Sequence, residues 1–153
     1  MPAISETFVY EELLALERRG ATVAAFSVRK PVKPVPAQLA LAQRVTNLYD
    51  GGPMAVVIRG LLSLPIHGLG TTRALAWLVS DLWECGPLRV ASWKLAYQWL
   101  AGSRLALMLR KRGCTHLHVH FAHVPSQIAM YASAFCGIPF TIMAHANDIF
   151  EDG

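Results

Sequence analysis

Five of the six histidines in this chain fall between residues 116 and 145, and three of them, His116, His118 and His120, alternate. Alternate residues of a strand point to one side. Three imidazoles on one face could hold zinc, so a small metal-dependent hydrolase is one function this spacing admits. Ligand carboxylates are scarce, because no Asp or Glu lies between Gly113 and Asn147 and Asp148 is the first acid after the strand. His116 and His118 are therefore expected to be structural, hydrogen-bonded to neighbouring loops, and no bound metal is expected. His120 and His145 differ from them. Each falls at the C-terminal end of an expected strand, where open α/β sheets bind their ligands. His145-Ala146-Asn147-Asp148 is a compact polar turn at that position. A histidine there can donate a hydrogen bond to a sugar hydroxyl or phosphate, or carry a proton.

The elements around these residues are legible from patterning. Residues 116–121 read as a strand. Pro125 suits the first turn of a helix, and Ile128, Tyr131, Ala132 and Phe135 form an i, i+3, i+4, i+7 stripe. Gly137 ends that helix, and residues 139–144 form a second short strand. Nearer the N-terminus, residues 5–19 read as a helix. Ser5 is a candidate N-cap, Val9, Leu13 and Leu16 a stripe, and Gly20 a C-terminal stop. A strand over 22–28 follows, then a stiff connector carrying Pro31, Pro34 and Pro36. Residues 37–46 are expected to be helical. Several more helices are expected from Met54 to Arg112, punctuated by Pro65, Gly68, Gly70, Gly86-Pro87 and Gly102, with Gly113 closing the last. Gly68-Leu69-Gly70 is no dinucleotide fingerprint, since no strand precedes it and a third glycine is missing. The order helix–strand–helices–strand–helix–strand predicts an α/β fold with a parallel sheet flanked by helices. Residues 1–153 would be one partial domain, with a helical insertion over about 37–112.

Composition narrows the function classes. The chain is 54% hydrophobic, yet no stretch reaches the ~20 apolar residues that a spanning helix needs. The opening residues do not read as a secretory signal. Cys85, Cys114 and Cys136 are odd in number and widely spaced, which fits free thiols in a reducing cytosol. All 14 Lys and Arg lie between Arg18 and Arg112, against only Asp50, Asp81 and Glu84. A basic middle that holds every tryptophan could meet anionic lipid headgroups or a charged substrate. Trp77, Trp83, Trp93, Tyr97 and Trp99 recur at helical spacing among Leu and Ala. That suggests packing rather than a base-stacking platform, so no nucleic-acid partner is expected.

Two blocks carry a family resemblance. The opening PAISETFVYEELLALERRGATVAAFSVR resembles the start of glycosyltransferase family 4 enzymes of the colanic acid and exopolysaccharide type. HLHVHFAHVPSQIAMYASAFCGIPFTIMAHANDIF resembles the same family's second landmark: a His-x-His-Phe-Ala strand, an Ala-rich helix, Gly-Ile-Pro-Phe and a His-Ala-x-Asp-Ile turn. The resemblance implies the Rossmann-like N-terminal half of a GT-B fold, on the acceptor side of a two-domain cleft. It implies metal-independent, retaining transfer of a sugar from a nucleotide-sugar donor to a glycan or lipid-linked acceptor, with no other cofactor. By matching position, His145 would be the cleft histidine at the reacting centre, and Asp148 would orient its turn. Ser5, Glu6 and Thr7 would face the acceptor, and His120 would sit at the cleft edge. The family's first strand, which would precede Ser5, and its C-terminal donor domain have no counterpart among these residues. The 153 residues alone are therefore expected to be inactive. The resemblance further implies a cytoplasmic protein able to touch the inner face of the membrane.

Overall fold

The computed structural model describes residues 7–28, 43–87 and 89–144. It is a mixed α/β structure with two short parallel strand pairs. The chain divides into two compact units, Met1–Leu48 and Tyr49–Gly153.

In the first unit, α1 spans Thr7–Arg18. It ends as expected at Gly20, where φ is 86°. The Gly20 N–H donates to the Glu17 carbonyl and the Ala21 N–H to the Leu16 carbonyl. These two bonds satisfy orphan carbonyls of the last turn. Val9 and Leu13 are half-buried, whereas Leu16 is exposed. Strand β1, Phe26–Ser27, pairs in parallel with β2, Thr46–Asn47. Two expectations change here. The strand foreseen over 22–28 is ladder-bonded only as far as its two-residue partner reaches. Residues 43–47 form a turn and then β2 rather than the end of a helix; residues 37–42 lie outside the described residues. Arg44 forms a two-pronged ion pair with Glu17 on the surface.

The second unit is built on helices. α2 spans Gly52–His67, α3 Leu69–Cys85 and α4 Val90–Lys111. They are followed by β3 (Leu117–His120), α5 (Val124–Cys136) and β4 (Phe140–Met143). α4 is central. It packs on α2 and most extensively on α5, while α3 lies against α5 and α4. The expected stripe on α5 is the core: Ile128, Tyr131, Ala132 and Phe135 are all buried. The Phe135 ring lies 4.9 Å from His67 and 5.2 Å from Trp99.

The glycines read as punctuation divide into two kinds. Gly68 separates α2 from α3, and Gly113 ends α4. Gly70 and Gly102 instead sit inside helices. A Cβ on Gly102 would lie 2.7 Å from Tyr131 Cβ, and one on Gly70 would overlap the Phe135 carbonyl. Both let α5 approach closely. Pro65 lies within α2, near its end. A second difference concerns the tryptophans. Trp99 is buried and donates to the Ala74 carbonyl at 3.0 Å, but Trp77, Trp83 and Trp93 are exposed. Most of the indoles expected to pack therefore do not. Cys85, Cys114 and Cys136 are free thiols, and burial pushes the Cys136 thiol up from its ordinary value.

Candidate functional site at the ends of the parallel strands

β3 and β4 are joined through α5 and pair in parallel. The register sets His118 opposite Thr141 and His120 opposite Met143. Parallel neighbours need such a crossover. Alternation turns Val119 inward, where it is buried, and brings the histidines to the other face. There the Thr141 hydroxyl lies 3.0 Å from His116 Nε2 and 2.8 Å from His118 Nδ1. A hydroxyl carries one proton. It can donate to one ring at most, so at least one of the two rings donates its own N–H to Thr141. His116 and His118 are thus hydrogen-bonded across the ladder to the adjacent strand, where the sequence suggested loops. The His118 and His120 rings meet edge to face at 5.0 Å.

At the end of β3 the chain turns sharply. Phe121 has φ of 75°, a region that bulky residues avoid. Several bonds hold it there. Its N–H donates to the Met143 carbonyl at 3.0 Å, and its carbonyl accepts from the Ser126 hydroxyl at 2.6 Å. α5 then starts at Val124 with Pro125 in its first turn. Left-handed non-glycine residues cluster at functional sites, where surrounding bonds hold the strain. His120 sits beside this turn, at the C-terminal end of β3 and opposite Met143 in the ladder.

Of the expected site residues, His120 is placed at the C-terminal end of β3, half-buried. Thr7 opens α1 in the other unit. Ser5, Glu6, His145 and Asp148 lie outside the described residues. No two of the expected site residues are brought together within one unit among the described residues. Sequence reasoning missed Phe121, Ser126 and Thr141. Thr141 had no signal, because strand register cannot be read from one sequence. The Ser126 bond to Phe121 had only the adjacent Pro125 to mark a helix start.

Elsewhere, Asp81 fixes α3 to α5. Its carboxylate accepts from Gln127 at 2.8 Å and from the Tyr131 hydroxyl at 2.5 Å. Burial, and then this bond, hold the Tyr131 phenol protonated well beyond its ordinary range. A shallow hollow lined by Arg73, Trp77, Ser133 and Pro139 lies at the opposite end of α5 from His120. Its Arg73 Nε is committed to the Ala134 carbonyl at 2.8 Å.

Among the described residues, no helix is long and apolar enough to cross a membrane. Comparison with protein-family models, curated proteins and solved structures gives no match to this chain.

Proposed function

We propose that this chain belongs to the acceptor side of a retaining glycosyltransferase that moves a sugar from a nucleotide-sugar to a glycan or lipid-linked acceptor. The observation that carries the reading is the β3–α5–β4 unit. Parallel strands deliver His120, and the chain leading to His145, to one sheet end, the position where α/β folds bind ligands. The resemblance of the opening block and of residues 116–150 to family 4 glycosyltransferases supplies the chemistry. His145 would contact the transferred sugar, Asp148 would hold its turn, and Ser5, Glu6 and Thr7 would meet the acceptor. The nucleotide-sugar would be held mainly by a donor domain outside these residues, and on this reading the protein would work in polysaccharide biosynthesis, in the cytoplasm.

The natural reading frame around these codons, expressed in full, tests this. A donor half carrying Glu-x7-Glu should lie in frame. Labelled sugar should pass from a nucleotide-sugar panel into glycan or lipid extract. His145→Ala should abolish transfer without changing the melting temperature. No transfer from any donor would contradict the reading.

A metal-dependent hydrolase is the second reading, favoured by one contact: the His118 and His120 rings at 5.0 Å. It requires about one zinc per chain in purified protein, lost on His118→Ala. The Thr141 hydroxyl occupies Nε2 of His116 and Nδ1 of His118, so a metal would have to use the other nitrogen of each ring.

A further inference from the structure

The helices α2 and α3 bury mainly small and polar residues, with Val56 and Leu78 among them, and leave most of their large apolar residues outside. On α2 the buried face is Val56, Gly60, Ser63 and His67, at i, i+4, i+7 and i+11. A Cβ on Gly60 would lie 2.5 Å from the Leu100 carbonyl oxygen, so the backbones of α2 and α4 nearly touch. Ser63 and Ser103 hydroxyls meet at 2.7 Å, and His67 Nε2 donates to the Ser103 carbonyl at 3.0 Å. The opposite face presents Met54 (70% exposed), Ile58, Leu61 and Leu62 (70%). On α3, Gly70, Ala74 and Leu78 are buried, while Leu69 (87%), Val79 and Trp83 (83%) are exposed.

In water this is costly. Each large aliphatic side chain left outside forgoes the stabilisation of burial. Where helices meet lipid the preference reverses. Small residues take the helix–helix contact, polar side chains bond across it, and large apolar residues face outward. Since no described helix can cross a bilayer, the fitting geometry is a helix lying in the interface with its apolar side down. Charge selects the lipid. From Tyr49 to Arg112 the basic residues are Arg59, Arg73, Arg89, Lys94, Arg104, Arg110, Lys111 and Arg112; the acids are Asp50, Asp81 and Glu84. Arg104 is buried, Arg73 Nε is bonded to the Ala134 carbonyl and Asp81 is bonded to Gln127 and Tyr131, which leaves Arg59, Arg89, Lys94, Arg110, Lys111 and Arg112 against Asp50 and Glu84. Exposed tryptophans such as Trp83 and Trp93 favour the headgroup level.

We propose that the outer face of α2, continued through Leu69 to the exposed tryptophans, docks on an anionic lipid surface. The inference does not depend on the transferase reading. Co-sedimentation of the 153-residue chain with phosphatidylglycerol/phosphatidylcholine vesicles and with pure phosphatidylcholine vesicles tests it. Binding to the anionic vesicles should be about tenfold stronger and should weaken with added salt. Ile58→Glu with Leu62→Glu should abolish pelleting while circular dichroism and the melting temperature hold. In the unaltered chain, tryptophan emission should shift to the blue on adding anionic vesicles. Absence of binding to either vesicle would overturn the proposal, as would equal binding to both. So would a dimer in sedimentation equilibrium that the double variant dissolves, with no lipid bound; the face would then be an interface between copies. Pelleting retained by a folded double variant would equally exclude this face.

Discussion

α2 and α5 both pack on α4, yet they use opposite halves of the amino-acid alphabet to do it. α5 turns Ile128, Tyr131 and Phe135 inward. α2 turns Gly60, Ser63 and His67 inward with a single large apolar residue, Val56, and leaves Met54, Ile58 and Leu62 outside. The α5 contact draws on apolar burial. The α2 contact draws on close backbone approach and on hydrogen bonds among buried polar groups, each modest in net worth but expensive to break. The difference teaches that one small unit carries two kinds of surface. One helix meets a protein core through large apolar side chains, and the other leaves its large apolar side chains exposed on its outer side.

The largest test of this contrast is Phe135→Ala. Phe135 is fully buried between His67 and Trp99, and its loss should cost about 3–5 kcal/mol, read as a lower urea midpoint. A loss below 1 kcal/mol, on the same scale, would mean that α5 does not anchor the core. Next is Gly70→Ala. Its Cβ would overlap the Phe135 carbonyl, and relieving that overlap should cost about 1–3 kcal/mol; an unchanged midpoint would show that α3 and α5 are not in close contact.

The third test is pH. His67 donates from Nε2, and its Nδ1 is buried with no hydrogen-bond partner among the described residues. Burial, with the nearby Arg110 charge adding to it, lowers its pKa below the ordinary 6.5. The unfolded chain therefore takes up this proton more readily than the folded one. Stability is fully present above pH 6.5 and falls as pH drops from there toward the folded value. His67→Gln should flatten the slope of melting temperature in that window. Equal slopes in the two proteins would mean that His67 is not held neutral. The smallest effect should come from the outer face. Leu62→Gln should change stability by no more than about 0.5 kcal/mol, and a larger loss would show that α2 is covered within this chain.

How much of this was legible follows the same division. The α5 stripe and its stops at Pro125 and Gly137 could be read, because large apolar residues at helical spacing point to a core. The C-terminal stops at Gly20 and Gly113 were legible for a local reason: the left-handed residue is itself the signal. Gly70 and Gly102 were misread as breaks. A glycine that admits a neighbouring helix looks the same in sequence as one that ends its own. Trp83 and Trp93 were read as packing because periodicity shows that a helix exists but not which side is covered. The histidine strand was found, but its Thr141 partner depends on a register that only the folded ladder sets. For the candidate site, His120 could be placed at the strand end, whereas the strained Phe121 beside it left no mark in the sequence.

Quenching of tryptophan fluorescence by brominated phosphatidylglycerol vesicles tests the contrast between the two helices most directly. The unaltered chain should lose emission on these vesicles relative to unbrominated ones. Trp83→Phe with Trp93→Phe should remove most of that loss, because the tryptophans that remain are Trp99, buried against Phe135, and Trp77, the least exposed of the other three. Absence of quenching in the unaltered chain, or the same fractional quenching in the double variant, would contradict the assignment of the outer helix faces to a lipid surface.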